Sequence, residues 1–146
     1  GLGYLFLESK VFELLSVYLS EVLELSILSS SYISISKSDR DSITEAKRII
    51  DSQLAFAPSC EKLAKKVNIS VSKLTKGFNS LFGTSVHAYI IDQRLEKAAG
   101  LLLESDLNVS QIATLVGYSK PSNFAAAFKK KYGVIPKNYK DENTIG

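Results

Sequence analysis

Two short runs of hydrogen-bonding side chains carry the chemistry of this chain. In Ser70-Val71-Ser72-Lys73-Leu74-Thr75-Lys76-Gly77-Phe78-Asn79, Leu74 and Phe78 lie four residues apart, so on a helix they share one face. Ser72, Lys73, Thr75, Lys76 and Asn79 then occupy the other side. About fifty residues on, Ser119-Lys120-Pro121-Ser122-Asn123-Phe124-Ala125-Ala126-Ala127-Phe128 repeats the arrangement. Phe124 and Phe128 turn inward, and Lys120, Ser122, Asn123, Ala125 and Ala126 are left outside. Lys129, Lys130 and Lys131 close the second run. Hydroxyl, amide and ammonium groups are donors and acceptors for recognition, and neither run pairs a nucleophile with a base.

Bond-making chemistry finds little support elsewhere. His87 is the single histidine and Cys60 the single cysteine. A zinc site needs several nitrogen or sulfur ligands, and a Cys-His or Ser-His-acid set lacks its parts. No glycine-rich phosphate loop is present. Alkyl transfer through Cys60 would require a reactive thiolate, and no further cysteine stands with it. The expectation is a binding protein that is not an enzyme, with no cofactor in this fragment.

The elements that position the two runs follow from a wider repeat. Leu63-Ala64, Val67, Leu74, Phe78, Gly83 and Tyr89 align with Ile112-Ala113, Val116, Phe124, Phe128, Gly133 and Tyr139. The offset is 49 residues before the turn and 50 after it, so the second copy has one extra turn residue. Each copy reads as helix, turn, helix. Ser42 with Glu45 forms a capping-box pattern ahead of Ile43, Ala46, Ile49, Ile50 and Leu54, which predicts a first helix. Ser59 is placed to cap a helix through Lys66, Ser70 one to about residue 82, and Ser85 a long one to about residue 104. Some eighteen residues make that last helix a strut of roughly 27 Å. Asn108 with Gln111 opens the next helix, which Gly117 ends. Ser119 is placed to cap the last long helix, with Pro121 in its first turn. A short turn comes after Pro136, and the tail frays after Lys140.

Ahead of this lies a different segment. Leu7, Val11, Leu14, Leu15, Tyr18, Leu19, Val22, Leu25 and Leu28 recur at helical spacing, with Lys10, Glu13, Glu21 and Glu24 on the other side. Such an apolar face needs a partner, either a further domain or a second copy paired through residues 5–28. Residues 29–41 are rich in serine and read as a linker. Residues 1–36 hold one Lys and four Glu, a net of −3, and residues 37–146 hold seventeen Lys or Arg and eleven Asp or Glu, a net of +6. The basic excess sits with the paired helix-turn-helix units and fits a polyanion. No stretch reaches eighteen uninterrupted apolar residues, and one cysteine allows no internal disulfide, so the expected setting is cytoplasmic with no membrane contact. The chain opens Gly1-Leu2-Gly3 and holds no methionine, which reads as a piece of a longer protein.

Several linked motifs in order resemble the DNA-binding domain of AraC/XylS transcription regulators over about residues 42–140. They are Leu63-Ala64, Leu74 and Phe78; Arg94-Leu95, Ala98 and Leu101-Leu102; and Ile112-Ala113, Val116-Gly117-Tyr118-Ser119, Ser122, Phe124, Phe128-Lys129-Lys130, Gly133-Val134, Pro136 and Tyr139. The resemblance implies an all-α fold: two homeodomain-like helix-turn-helix subdomains joined by a long linker helix. An amphipathic helix precedes them. Residues 1–36 would be the connecting or dimerising segment and 37–146 the DNA-binding domain. Within it, units at about 42–84 and 106–140 flank the linker helix at 85–104. Major-groove segments one turn apart lie about 34 Å from each other, a span that such a strut with its flanking helices can match.

Carried over residue by residue, the resemblance points Ser72, Thr75 and Lys76 of the first reader at base edges, and Ser122, Asn123, Ala125 and Ala126 of the second. Lys76 can donate to guanine, Asn123 can pair with adenine, and an alanine can meet only a thymine methyl or leave space. Expected phosphate contacts are Ser70, Lys73, Asn79, Ser119, Lys120, Lys129, Lys130 and Lys131, although a lysine triplet at a helix end also occurs simply as a solvated terminus. Arg94 reads as a structural ion-pair or strut residue sooner than a DNA contact. Implied partners are double-stranded DNA and RNA polymerase; the family includes activators, and the sequence leaves activation and repression both open. Leu5 to Leu15 is similar to the connecting helix of siderophore-responsive, pyochelin-regulator-like members, which would place an iron–siderophore effector on a preceding sensor domain. The alternative is a helix-turn-helix module that binds protein and has lost specific DNA binding, an idea that Ala125 and Ala126 favour.

Overall fold

A computed structural model describes residues 35–144 together with Tyr18, Leu19 and Glu21, which are helical. The expected amphipathic helix at residues 5–28 otherwise lies outside the described residues. The chain divides into two units, Gly1–Lys37 and Ser38–Gly146, and the second carries both copies of the repeat.

The described residues from Lys37 onward form seven α-helices and one 3-10 turn, with no strand among them. Helix α1 (Lys37–Ser52) buries Ile43, Ala46 and Ile50, which recur at the helical period. It begins before Ser42, so the expected capping box there does not form, and residues 37–41 are helix instead of linker. The Thr44 hydroxyl donates to the Arg40 carbonyl at 2.8 Å, a bond one helical turn long. Glu45, freed from capping, takes Arg48 at 2.6 Å, and this bond holds its carboxyl below the usual range. The helix stops at Ser52, and Leu54–Phe56 forms a 3-10 turn in place of the expected last helical residues.

Three caps stand where the sequence puts them. Ser59 accepts from the Lys62 amide at the start of α2 (Cys60–Lys66), Ser70 from Lys73 at α3 (Val71–Phe82), and Ser85 from Ala88 at α4 (Val86–Glu104). Each supplies an acceptor to an amide that has no partner within the helix. At α5 (Val109–Leu115), Asn108 and Gln111 form the reciprocal box, with both bonds at 2.8–3.0 Å. Ser119 does not cap. The extra turn residue places Lys120 at the N-cap of α6 (Pro121–Tyr132), with no side-chain cap bond. Proline at the first helical position has no N–H to satisfy, which lowers the need for a cap. The last helix, α7 (Pro136–Thr144), is longer than the expected short turn.

The repeat is as clear in packing as in sequence. Phe78 of α3 and Phe128 of α6 are fully buried, and each meets a tyrosine, Tyr89 at 5.5 Å and Tyr139 at 5.2 Å between ring centres. The second core joins Leu95, Ala98 and Leu102 of α4 to Ile112 and Ala113 of α5 and to Phe124 and Phe128. The first half of α4 serves the first unit, where Val86 is buried and the Tyr89 hydroxyl donates to Asp51 at 2.6 Å. One helix of 19 residues, about 28 Å long, therefore belongs to both units.

The two turns differ in tolerance. Both bend back alike, Ile69 N–H donating to Ala64 O and Tyr118 N–H to Ala113 O, at 3.1 and 2.9 Å. Asn68 holds φ +59° and Gly117 φ +106°. A β-carbon at position 117 would stand 2.7 Å from the Ala55 carbonyl oxygen. Asn68→Ala should cost about 1 kcal/mol in urea unfolding, since only the left-handed backbone is at stake. Gly117→Ala should cost clearly more, because strain and collision combine; equal losses would show that the contact at Ala55 yields freely.

Candidate nucleic-acid interface

Burial of Leu74 and Phe78 decides which side of α3 meets solvent. Ser72, Lys73, Thr75, Lys76 and Asn79 are all exposed. The Thr75 hydroxyl donates to the Val71 carbonyl at 3.0 Å, so its proton is committed and its lone pairs remain for a donor such as an exocyclic amine. Lys73 reaches Asp39 of α1 at 3.3 Å across an exposed gap. Lys76 has no hydrogen bond or ion pair among the described residues, which leaves three donors available. Ser70 spends its oxygen on the cap. A shallow cleft of ≈ 380 Å³ runs beside this face, where Thr75, Lys76 and Asn79 meet Cys60 of α2, the Ser85 cap and His87 of α4.

On α6 the equivalent face is plainer. Ser122, Asn123 and Ala126 are exposed and Ala125 is half-buried. The Asn123 side-chain amide has no partner among the described residues, so both its donor and its acceptor face outward chemistry. Lys120 and Ser119 are exposed in the turn, and neither side chain is engaged in a cap. Lys129 and Lys130 are exposed and unpaired among the described residues.

Lys131 is different from its two neighbours. Its ammonium lies 2.9 Å from Asp92 and 3.6 Å from Glu96 on α4. Burial pulls its pKa down, but the Asp92 hydrogen bond and the nearby carboxylates outweigh it and hold the group above the ordinary lysine value. The structure thus gives Lys131 a protein partner where the sequence pointed to phosphate. Nothing in the spacing announces this pair, since Asp92 is 39 residues away.

His87 lines the same cleft as Lys76, and the sequence motifs do not point to it. Its one signal is its place two residues after the Ser85 cap. Cys60, also in the cleft, is pushed up by burial and by Glu61, which disfavours a thiolate. No group of residues able to hold a metal occurs among the described residues, and no helix among them is long and apolar enough to cross a membrane.

Comparison with known proteins gives this geometry a family. A family model described as a helix-turn-helix domain matches residues 63–142. The xylose operon regulatory protein of Escherichia coli K12 is 32% identical over 102 residues, 70% of this chain and 26% of that protein. The transcriptional regulator AlkR of Acinetobacter baylyi is 39% identical over 83 residues, 57% of this chain and 27% of its own. Among solved structures, the C-terminal domain of the response regulator yesN from Fusobacterium nucleatum superposes with a TM-score of 0.62 at 31% identity, covering 66% of this chain and 95% of that one. The DNA-binding domain of AdpA, solved with a target DNA, superposes with a TM-score of 0.65 at 26% identity, covering 68% and 90%. The chain belongs to this helix-turn-helix family, as an AraC/XylS-type DNA-binding domain. It spans about a quarter of the length of the xylose and AlkR regulators.

The three lysines at the end of α6 should separate by stability. Lys131→Ala should lower unfolding free energy by about 0.5–1 kcal/mol, the range for a partly screened ion pair with packed methylenes. Lys129→Ala and Lys130→Ala should stay within about 0.5 kcal/mol. Because the Lys131 pKa is raised, its contribution is full at neutral pH and is lost only as pH climbs past the lysine range. Equal behaviour of all three variants would mean that the Asp92 pair is not formed in solution.

Proposed function

We propose that this chain is the sequence-specific DNA-reading part of a transcription regulator, placing α3 and α6 in two successive major-groove segments on one face of the duplex. The observation that carries the reading is the pair of equivalent, outward-facing helices set on one shared strut. The strut's length of about 28 Å, with the widths of the flanking helices, suits groove segments about 34 Å apart.

Ser72, Thr75 and Lys76 read base edges in the first segment, and Lys76 donates to guanine. Thr75 acts as an acceptor, given its hydroxyl's bond to Val71. In the second, Asn123 is the principal base reader and Ser122 assists. Ala125 and Ala126 contribute at most contact with a thymine methyl. Lys120, Ser119, Lys129 and Lys130 hold phosphates there, as Lys73, Asn79 and the Ser70 terminus do in the first. Lys131 joins them only by giving up Asp92. Discrimination is therefore weighted to α3 and backbone grip to α6.

The protein acts in the cytoplasm by binding, without catalysis of its own, and this part needs no cofactor. It meets RNA polymerase as an activator, and residues 5–28 can pair two copies. An iron–siderophore effector on a sensor domain ahead of residue 1 is supported only by the Leu5–Leu15 segment.

Selection from a random duplex pool, followed by affinity measurement across a salt series, tests the core of this reading. Two short boxes about one helical turn apart, with affinity falling steeply in salt, are expected. No enriched site and no salt dependence from folded protein would favour a protein-binding module. On the selected site, Lys76→Ala should cost about 1–3 kcal/mol and relax preference at one base pair. Lys130→Ala should weaken all sequences alike and lower the salt slope by about one. If Lys76→Ala instead weakens every sequence equally, Lys76 is a phosphate contact.

A further inference from the structure

Arg94 sits midway along α4, and three contacts converge on it. Its Nε donates to the Leu54 carbonyl at 3.0 Å, across 40 residues of chain. Its guanidinium carbon lies 5.9 Å from the centre of the Tyr118 ring. A β-carbon at Gly117 would fall 2.9 Å from that same carbon and 2.7 Å from the Ala55 carbonyl oxygen. Leu54 and Ala55 form the 3-10 turn that comes after α1 in the first unit. Gly117 and Tyr118 are the helix-turn-helix turn of the second. The first unit's turn therefore lies directly against the second unit's turn, with Arg94 wedged between them.

We propose that Arg94, with Tyr118 and Gly117, is a clamp that fixes the angle between the two readers, and so sets the spacing between DNA boxes that the domain accepts. A strut alone leaves the rotation of one unit about the helix axis to side-chain packing. A guanidinium holding a carbonyl on one unit and a ring on the other adds a contact off that axis. Its planar fork, fixed in geometry, lets one side chain serve both in a single orientation, whereas an ammonium is a rotating point charge that imposes none. No glutamate or aspartate pairs with Arg94 among the described residues. Its acceptor is a backbone carbonyl, fixed in place by the turn itself. Tyr118 contributes its ring face; its hydroxyl is buried without a partner among the described residues. Arg94 in this role touches no base and no phosphate, and acts on DNA only through the positions of α3 and α6. The inference rests on reading those helices as the DNA-contacting pair.

Two measurements separate the clamp from that premise. The first uses no DNA. In a Cys60→Ser background, spin labels at Ser80→Cys on α3 and Asn138→Cys on α7 report the distance between units. The starting protein should give a narrow distribution, and Arg94→Lys and Tyr118→Leu should each broaden it. Tyr118→Phe keeps the ring and should leave it narrow. The second measures binding to the selected two-box site, to the same site with one base pair added or removed, and to a single box. Arg94→Lys should leave single-box affinity unchanged and weaken two-box binding about tenfold, as expected when two linked modules lose their fixed geometry. Its preference for the original spacing should flatten. Circular dichroism checks that each variant is folded, and Tyr118→Leu provides the reading if Arg94→Lys is not. An unbroadened distance with unchanged spacing preference overturns the clamp. A broadened distance in a protein that shows no two-box preference even unmodified confirms the clamp and overturns the DNA reading it was tied to.

Discussion

Two phenylalanines, Phe78 and Phe128, govern the orientation of everything this domain presents to a partner. Each is fully buried and packed against a tyrosine from the next helix. Burying such a ring is worth several kcal/mol, far more than any single exposed hydrogen bond on the same helix. The inward side of α3 and α6 is thus fixed by the core, and the outward side follows without needing to stabilise anything. That freedom lets the outward residues differ so much between the two copies. One carries Ser72, Thr75 and Lys76, the other Ser122, Asn123 and two alanines.

The copies also part company at the turn. Inserting Lys120 moves the start of α6 by one residue, releases Ser119 from the capping role that Ser70 plays, and brings in Pro121 at the first helical position. The same turn must lie flat against Ala55, which leaves no room for a side chain at Gly117. Asn68, the equivalent residue, is exposed. One turn is thus an internal joint of the domain and the other a surface feature.

Local signals are legible in the sequence because they act over three or four residues. Ser59, Ser70, Ser85 and the Asn108–Gln111 pair cap the helices they precede, and the spacing of Leu74 with Phe78 and of Phe124 with Phe128 assigns the buried faces. The same rule misleads at Ser42, where the pattern is present but the helix has already begun, and Glu45 finds Arg48 instead. At Ser119 one inserted residue is enough to break the analogy. Contacts that span the fold leave no such local mark. Asp92 taking Lys131, and Leu54 taking Arg94, join residues 39 and 40 apart, and only the packed structure brings them together.

The shared strut has a consequence for how the chain is made. The buried apolar residues of the first unit run from Ile43 to Val86, and the second core draws on residues 95–128 with Tyr139 packed beside it. Contacts this local favour rapid folding, and domains tend to form in the order in which they leave the ribosome. The first half of α4 leaves the ribosome while its second half is still held inside it, so the first unit can close on its own. The nascent α4 then offers its exposed second half as the surface on which the later helices gather. Arg94 is synthesised near the boundary, and its bond to Leu54 can be in place before Tyr118 arrives. The early-folded half would in that way act as a template for docking of the late one.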